Sequence, residues 1–296
     1  MDSRLNAFLE RADAVLARLE PLLPAPREAV DWNRSLAARW VREGRSGYLM
    51  PLEVSLDMRL SDLIGVDLQR EQLGRNTRQF IDGLPANHAL LWGSRGTGKS
   101  SLIRALLAEY AQAGLRLIEI ERDHLGDLPR VVEQLQKLPQ RFVLFCDDLS
   151  FEAGESDYRV LKSVLDGSLE QAPDNVLLYA TSNRRHLVPE KESDNANWKH
   201  VDGELHPSEA VEDKIALSDR FGLWLSFYPF TQEHYLNVVE HWITQLAQAA
   251  SLSWQRDAEL DKLAIRWATG RGNRNGRCAY QFARYWVGLK LLEQQP

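Results

Sequence analysis

Gly93 and Gly98, with four residues between them and Lys99-Ser100 immediately after, make the spacing of a phosphate-binding loop. Residue by residue the run is Gly93-Ser94-Arg95-Gly96-Thr97-Gly98-Lys99-Ser100, and Ser101 extends it into the next element. Glycine lacks a Cβ, so the backbone turns tightly and comes close to a phosphate. The N–H groups of the turn and of the following helix N-terminus form a cradle of positive partial charge. Lys99 is placed to reach β- and γ-phosphates, and the Ser100 hydroxyl is a candidate Mg²⁺ ligand.

Three further groups suit the same chemistry. Asp147-Asp148 follows the apolar run Phe142 to Cys146. A carboxylate at the C-terminal end of a buried strand is where a nucleotide's Mg²⁺ is held, which makes Asp147 the metal candidate. Asp148 is then the candidate to orient or deprotonate a water. Asn183 ends the run Val176 to Thr181, on the same rim. Arg220 precedes Leu223 to Phe227. It is either a surface ion-pair partner or a finger onto a nucleotide held by another subunit. Arg271, Arg274 and Arg277 stand in a glycine-rich turn, and beside a nucleotide site they most economically bind that nucleotide's phosphates.

These residues need a scaffold that brings strand ends together. His88 to Trp92 reads as a buried strand, and Leu102, Ile103, Leu106, Leu107 and Tyr110 share one helical face, closed by Gly114. Leu115 to Glu121, Phe142 to Cys146, Val176 to Thr181 and Leu223 to Phe227 supply further strands, with helical stretches over about 68–82 and 157–170. Such alternation predicts a parallel, five-stranded sheet covered on both faces. After Phe230 the pattern predicts three helices, about 232–249, 256–268 and 276–293. Before the sheet, residues 1 to about 25 and about 28 to 43 both show helical spacing, the second through Trp32, Leu36, Trp40 and Val41. The expected division is an N-terminal helical extension over 1–55, a nucleotide-binding domain over 56–230 and a helical lid over 231–296. The acid-rich stretch 188–211 reads as a long loop.

The chain has 296 residues, is 44% hydrophobic and 26% charged, and carries a net charge of -6, which argues against a broad nucleic-acid-binding face. A local basic patch at Arg184, Arg185 or 271–277 keeps nucleic acid open as a partner. Cys146 and Cys278 have no metal-ligand spacing, and Cys146 reads as a buried filler. Neither a signal peptide nor an apolar run long enough for a membrane span is expected, so the cytoplasm is the default location.

As a set, these residues resemble the AAA+ ATPases over about 58–294. The resemblance implies adenine packing at Ile64-Gly65, a Walker A loop at Gly93 to Ser100, Walker B acids at Asp147-Asp148 and sensor 1 at Asn183. It further implies an arginine finger at Arg220 and a lid arginine at Arg277, with Arg274 as the alternative. The implied ligands are ATP and Mg²⁺, and the implied assembly is a homo-oligomer. At finer grain, Leu90 to Gly93, Phe145 to Glu152, Ala180 to His186 and Leu217 to Leu223 look like a bacterial subfamily of ATPases catalogued as a domain of unknown function. One departure stands out: most AAA+ enzymes carry Glu where this chain has Asp148, and Glu152 offers a longer carboxylate nearby. The reading is Mg-ATP hydrolysis, slow enough for ATP to act as a switch for an unidentified protein partner. The alternatives are a non-hydrolysing ATP-gated scaffold and a small-molecule P-loop kinase. A GTPase lacks support, since no Asn-Lys-x-Asp motif occurs.

Overall fold

In the computed structural model the described residues are 3–19, 29–44, 46–151, 157–166, 173–184, 199–201, 204–206 and 219–294. They divide into two units, residues 1–31 and 32–296. The first contains helix α1 (Ser3–Leu19), whose Leu5, Phe8, Leu9 and Val15 are at least half exposed.

The second unit is built on a sheet of seven strands. In chain order these are β1 (Ala37–Glu43), β2 (Ser46–Leu52), β3 (Ala89–Gly93), β4 (Leu115–Glu119), β5 (Arg141–Cys146), β6 (Val176–Ser182) and, after a separate pair, β9 (Leu223–Phe227). Across the sheet the order is β2-β1-β4-β5-β6-β3-β9. All neighbours pair parallel except β1 and β2, which form an antiparallel hairpin. Strands β5 and β6 are buried nearly end to end, as strands covered on both faces must be. Helices α2 (Asp67–Ile81) and α3 (Lys99–Tyr110), together with α4 (Leu128–Leu135) and α5 (Asp157–Asp166), complete the α/β part. The separate pair, β7 (Lys199–Val201) and β8 (Glu204–His206), lies antiparallel within the acid-rich stretch that reads as a loop from sequence.

The sheet has seven strands rather than five. Both extra ones come from the expected N-terminal extension over 1–55, the first from the stretch read as helical and the second from the polar connection after it. Trp32, Leu36 and Trp40 are four residues apart, which matches a helix, but tertiary contacts select a strand over 37–43. Ala37 to Arg39 pair with Leu117 to Glu119 of β4. Gly44, at φ 59, supplies the left-handed turn that a two-residue hairpin loop needs. Trp40 then lies over Gly47, where a Cβ would come within 2.1 Å of the indole ring. The Trp40 indole N–H donates to Asp127 at 3.0 Å, and Arg42 reaches the same carboxylate oxygen at 2.7 Å. Those bonds, the one to Arg42 foremost, hold the Asp127 carboxyl below its ordinary pKa. Buried Arg116 donates to the carbonyls of Trp32, Ala111 and Leu115, fastening the entry of the hairpin to the sheet.

Past the sheet come α6 (Gln232–Ala249), α7 (Ala258–Gly270) and α8 (Gly276–Glu293). Each starts where a side chain accepts from the first turn: Thr231 from His234 N, Asp257 from Leu260 N, and Asn275 from Cys278 N. Tyr235, Ile243, Ala264, Ala279 and Ala283 are almost wholly buried in their shared core. The acidic Glu152, the basic Arg185 and most of 188–211 lie outside the described residues.

Candidate functional site

Strands β5, β6 and β3 are neighbours, so their C-terminal ends form one rim. The phosphate loop follows β3, Asp147-Asp148 follows β5, and Asn183 follows β6. A crevice beyond the strand ends is where open α/β sheets bind ligands.

The loop's glycines have separate geometric reasons. Gly93 has φ 128, and a Cβ there would lie 2.0 Å from the Phe227 carbonyl oxygen, which accepts from Ser94 N at 3.1 Å. Gly96 (φ 76) has the Asn275 side chain against it, and its carbonyl accepts from Gly276 N at 2.9 Å. Gly98 (φ 105) opens α3 with no side-chain cap, unlike the three C-terminal helices. The first N–H groups of α3 therefore point into the loop without an internal acceptor.

Lys99 is 7% exposed, and its ammonium donates to the carbonyls of Gly93 at 2.7 Å and Ser94 at 2.8 Å. It also approaches Asn183 Oδ1 at 3.5 Å. Burial pulls the Lys99 pKa below its ordinary value, while Asp147 and Asp148 oppose that pull and Arg95 adds to it. The Ser100 hydroxyl donates to Asp147 Oδ1 at 2.7 Å. Thr181, which sequence reasoning did not single out, donates to the same oxygen at 2.5 Å and accepts from Asp148 N at 3.0 Å. It ties the two acids to the next strand. Its signal was there to read: a hydroxyl residue inside an apolar strand that ends on the rim.

Asp148 takes φ 55, an uncommon conformation for a residue with a Cβ. Its carboxylate accepts from Asn183 Nδ2 and faces Arg95 at 3.3 Å. The cleft over these groups, of about 570 Å³, is lined on its far side by Ile64, Trp242, Arg277 and Tyr280. Arg277 thus lines the cleft while Arg274 and Arg271 do not, the Arg271 guanidinium lying 3.5 Å over the Trp267 ring instead. Neither Gly65 nor Arg220 lines the cleft. Gly65 (φ 74) makes room for His234, which meets the Ile64 carbonyl at 2.9 Å. Trp242 and Tyr280, edge to face at 4.9 Å, were missed because their spacing reads only as core. Burial pushes the Cys146 thiol up to about 12, as suits a filler rather than a nucleophile.

Among the described residues no three His, Cys, Asp or Glu side chains cluster as a metal cage. A nucleotide's Mg²⁺ does not need one, because it takes one or two protein oxygens and fills its octahedron from phosphates and water. Ser100 Oγ and Asp147 Oδ1 fit that requirement. No helix among the described residues is long and apolar enough to cross a membrane.

The fold has solved counterparts. The Thermotoga maritima RuvB Holliday junction branch migration motor matches at TM-score 0.50 and 16% identity, over 77% of this chain and 63% of that one. The Aeropyrum pernix Orc1 protein, in a complex with DNA, matches at TM-score 0.53 and 16% identity, over 80% and 65%. The chain therefore spans just under two thirds of the length of either. Identities this low speak to fold alone, and the fold is the AAA+ type of P-loop α/β domain. No curated protein matches the chain. One family model does, that of the protein of unknown function DUF815, over residues 33–290. On that match the chain belongs to the DUF815 family, with an AAA+ P-loop fold at its centre.

Proposed function

We propose that the protein binds Mg-ATP in the cleft over Gly93 to Ser101 and hydrolyses it slowly at an interface between copies of the chain. The observation that carries this is one chain of contacts. Lys99 meets Asn183, Asn183 holds Asp148, and Ser100 meets Asp147, all on one rim. Ile64, Trp242 and Tyr280 offer the apolar surface a base needs.

The loop N–H groups and Lys99 receive the phosphates, Lys99 exchanging its two carbonyl partners for phosphate oxygens. Bound Mg²⁺, held by Ser100 and Asp147, supplies charge neutralisation on the β- and γ-phosphates. Asn183 sits between Lys99 and Asp148, so it faces both the phosphate end and the water-activating carboxylate. A water held by Asp148 attacks the γ-phosphorus. The bond to the β–γ bridging oxygen breaks as the new P–O bond forms, and the water's proton passes to Asp148 or to the phosphate. Arg277 contacts the phosphates from the C-terminal helices, which act as a lid, and Arg220 comes from a neighbouring copy.

Asp148 favours slow turnover. Its side chain is about 1.5 Å shorter than the usual Glu, a misplacement that can cost about 100-fold. Its carboxylate is also engaged by Asn183 and Arg95. That engagement supports a second reading, an ATP-gated scaffold that recruits a protein partner without hydrolysis. Phosphate release measured beside a Lys99→Ala control separates the two. Turnover above that control but below about 10 s⁻¹, the general enzyme median, is expected. No release above the control, with ATP bound, leaves the scaffold; no ATP binding removes both.

A further inference from the structure

The last two helices carry a charge pattern that the nucleotide cleft does not use. Between Lys262 and Lys290 lie seven of the chain's 36 Lys and Arg and none of its 42 Asp and Glu. In a chain of net charge -6 this is strong segregation of sign. Lys262, Arg266, Arg271, Arg274, Arg277 and Arg284 are all exposed. Only Arg277 lines the cleft, so the others serve no phosphate there.

Aromatic rings are set among these charges. Trp267 of α7 and Tyr285 of α8 stack face to face, with centroids 4.9 Å apart and planes at 27°. Arg271 caps the outer face of Trp267, and Tyr285 is 53% exposed. Arg284 lies 5.9 Å over the Tyr280 ring on the same helix. Exposed rings flanked by cations suit a ligand that offers both phosphates and flat bases. A partner with acidic side chains would match the charge but would leave the exposed Tyr285 face without a counterpart.

We propose that the exposed face of α7 and α8 binds single-stranded nucleic acid, with Lys262, Arg266 and Arg284 on the phosphates and Tyr285, backed by Trp267, stacking a base. This surface lies outside the nucleotide cleft and stands or falls separately from ATP hydrolysis.

The test is fluorescence anisotropy of a labelled 20-nucleotide single strand with the full chain, across salt concentrations. Saturable binding at low salt is expected, with a log–log salt slope of about -2 for the three phosphates held by Lys262, Arg266 and Arg284. Arg266→Glu with Arg284→Glu flattens that slope by about 1.4 units. Tyr285→Ala weakens binding about tenfold at unchanged slope, and an abasic strand loses the same factor on wild type. A fluorescent ATP analogue, bound equally by all variants, verifies that each is folded. Several results overturn the proposal: no binding to wild type at low salt, equal affinity for the abasic strand, or charge reversal that alters self-association while leaving strand binding intact.

Discussion

Asp148 is the residue on which turnover depends in the proposed reaction, and its geometry makes that dependence testable. It is exposed, sits at φ 55 and accepts from Asn183. Replacing it by Asn is expected to lower kcat about 100-fold or more while leaving the affinity for ATP nearly unchanged, the signature of a group that acts only in the transition state. Asp148→Glu is expected to raise turnover by restoring reach; a fall would show that side-chain length does not limit the rate. Steady-state kinetics with an independent binding titration reads both. The residues of the proposed site could be placed on one rim from the sequence because they follow the ends of recognisable strands. Lys99, Ser100, Asp147 and Asn183 do converge on one rim. Thr181 was legible but passed over, as a hydroxyl residue ending an apolar strand, whereas Trp242 and Tyr280 were not legible as site residues. The roles of those two rings come from which helix lies beside the cleft, and no local spacing encodes that.

At the scale of elements, the phosphate loop is held from two sides, by β9 and by the N-terminus of α8. Gly96→Ala would bring a Cβ within 2.6 Å of the Asn275 side chain at an already left-handed φ. Strain of that kind, about 1–3 kcal/mol, is expected to weaken ATP binding about tenfold while the circular dichroism spectrum stays native. A second test concerns the sheet. His88 Nδ1 accepts from Leu178 N at 3.0 Å, and burial pushes the imidazole down to about 4. Below about pH 6.5 the unfolded chain takes up a proton that the folded chain refuses until about pH 4. The stabilisation is therefore complete above pH 6.5 and is lost by up to about 3 kcal/mol as pH falls across that window. His88→Asn keeps an acceptor and removes the titration, so its denaturant midpoint should fall less than that of wild type between pH 7 and 4.5. Equal falls would show that His88 is not the source. The strands were readable from their continuous apolar runs, and the three C-terminal helices from apolar positions recurring at helical spacing. The hairpin over 37–52 was not, because Trp40 faces Gly47 and Asp127 through contacts that a four-residue spacing mimics equally well.

For the whole molecule, the decisive matter is whether a site is complete within one chain. Arg277 lines the cleft of its own chain, whereas Arg220 does not. In the proposed reaction a neighbour supplies Arg220, which makes each active site a shared object, so activity should follow assembly. ATP is then expected to raise the mass of the wild type in solution, and dilution below the assembly concentration to lower turnover per chain. The most direct measurement is complementation between two inactive variants. Lys99→Ala cannot use ATP but still offers Arg220; Arg220→Ala holds ATP but lacks the finger. Each alone is expected to release phosphate at a few per cent of the wild-type rate or less, the effect of losing a finger or a loop lysine. Mixed in equal amounts, they should recover about a quarter of wild-type activity, because one interface in four then pairs an intact loop with an intact finger. A mixture no more active than its parts, or an Arg220→Ala variant with full turnover, would contradict a shared site.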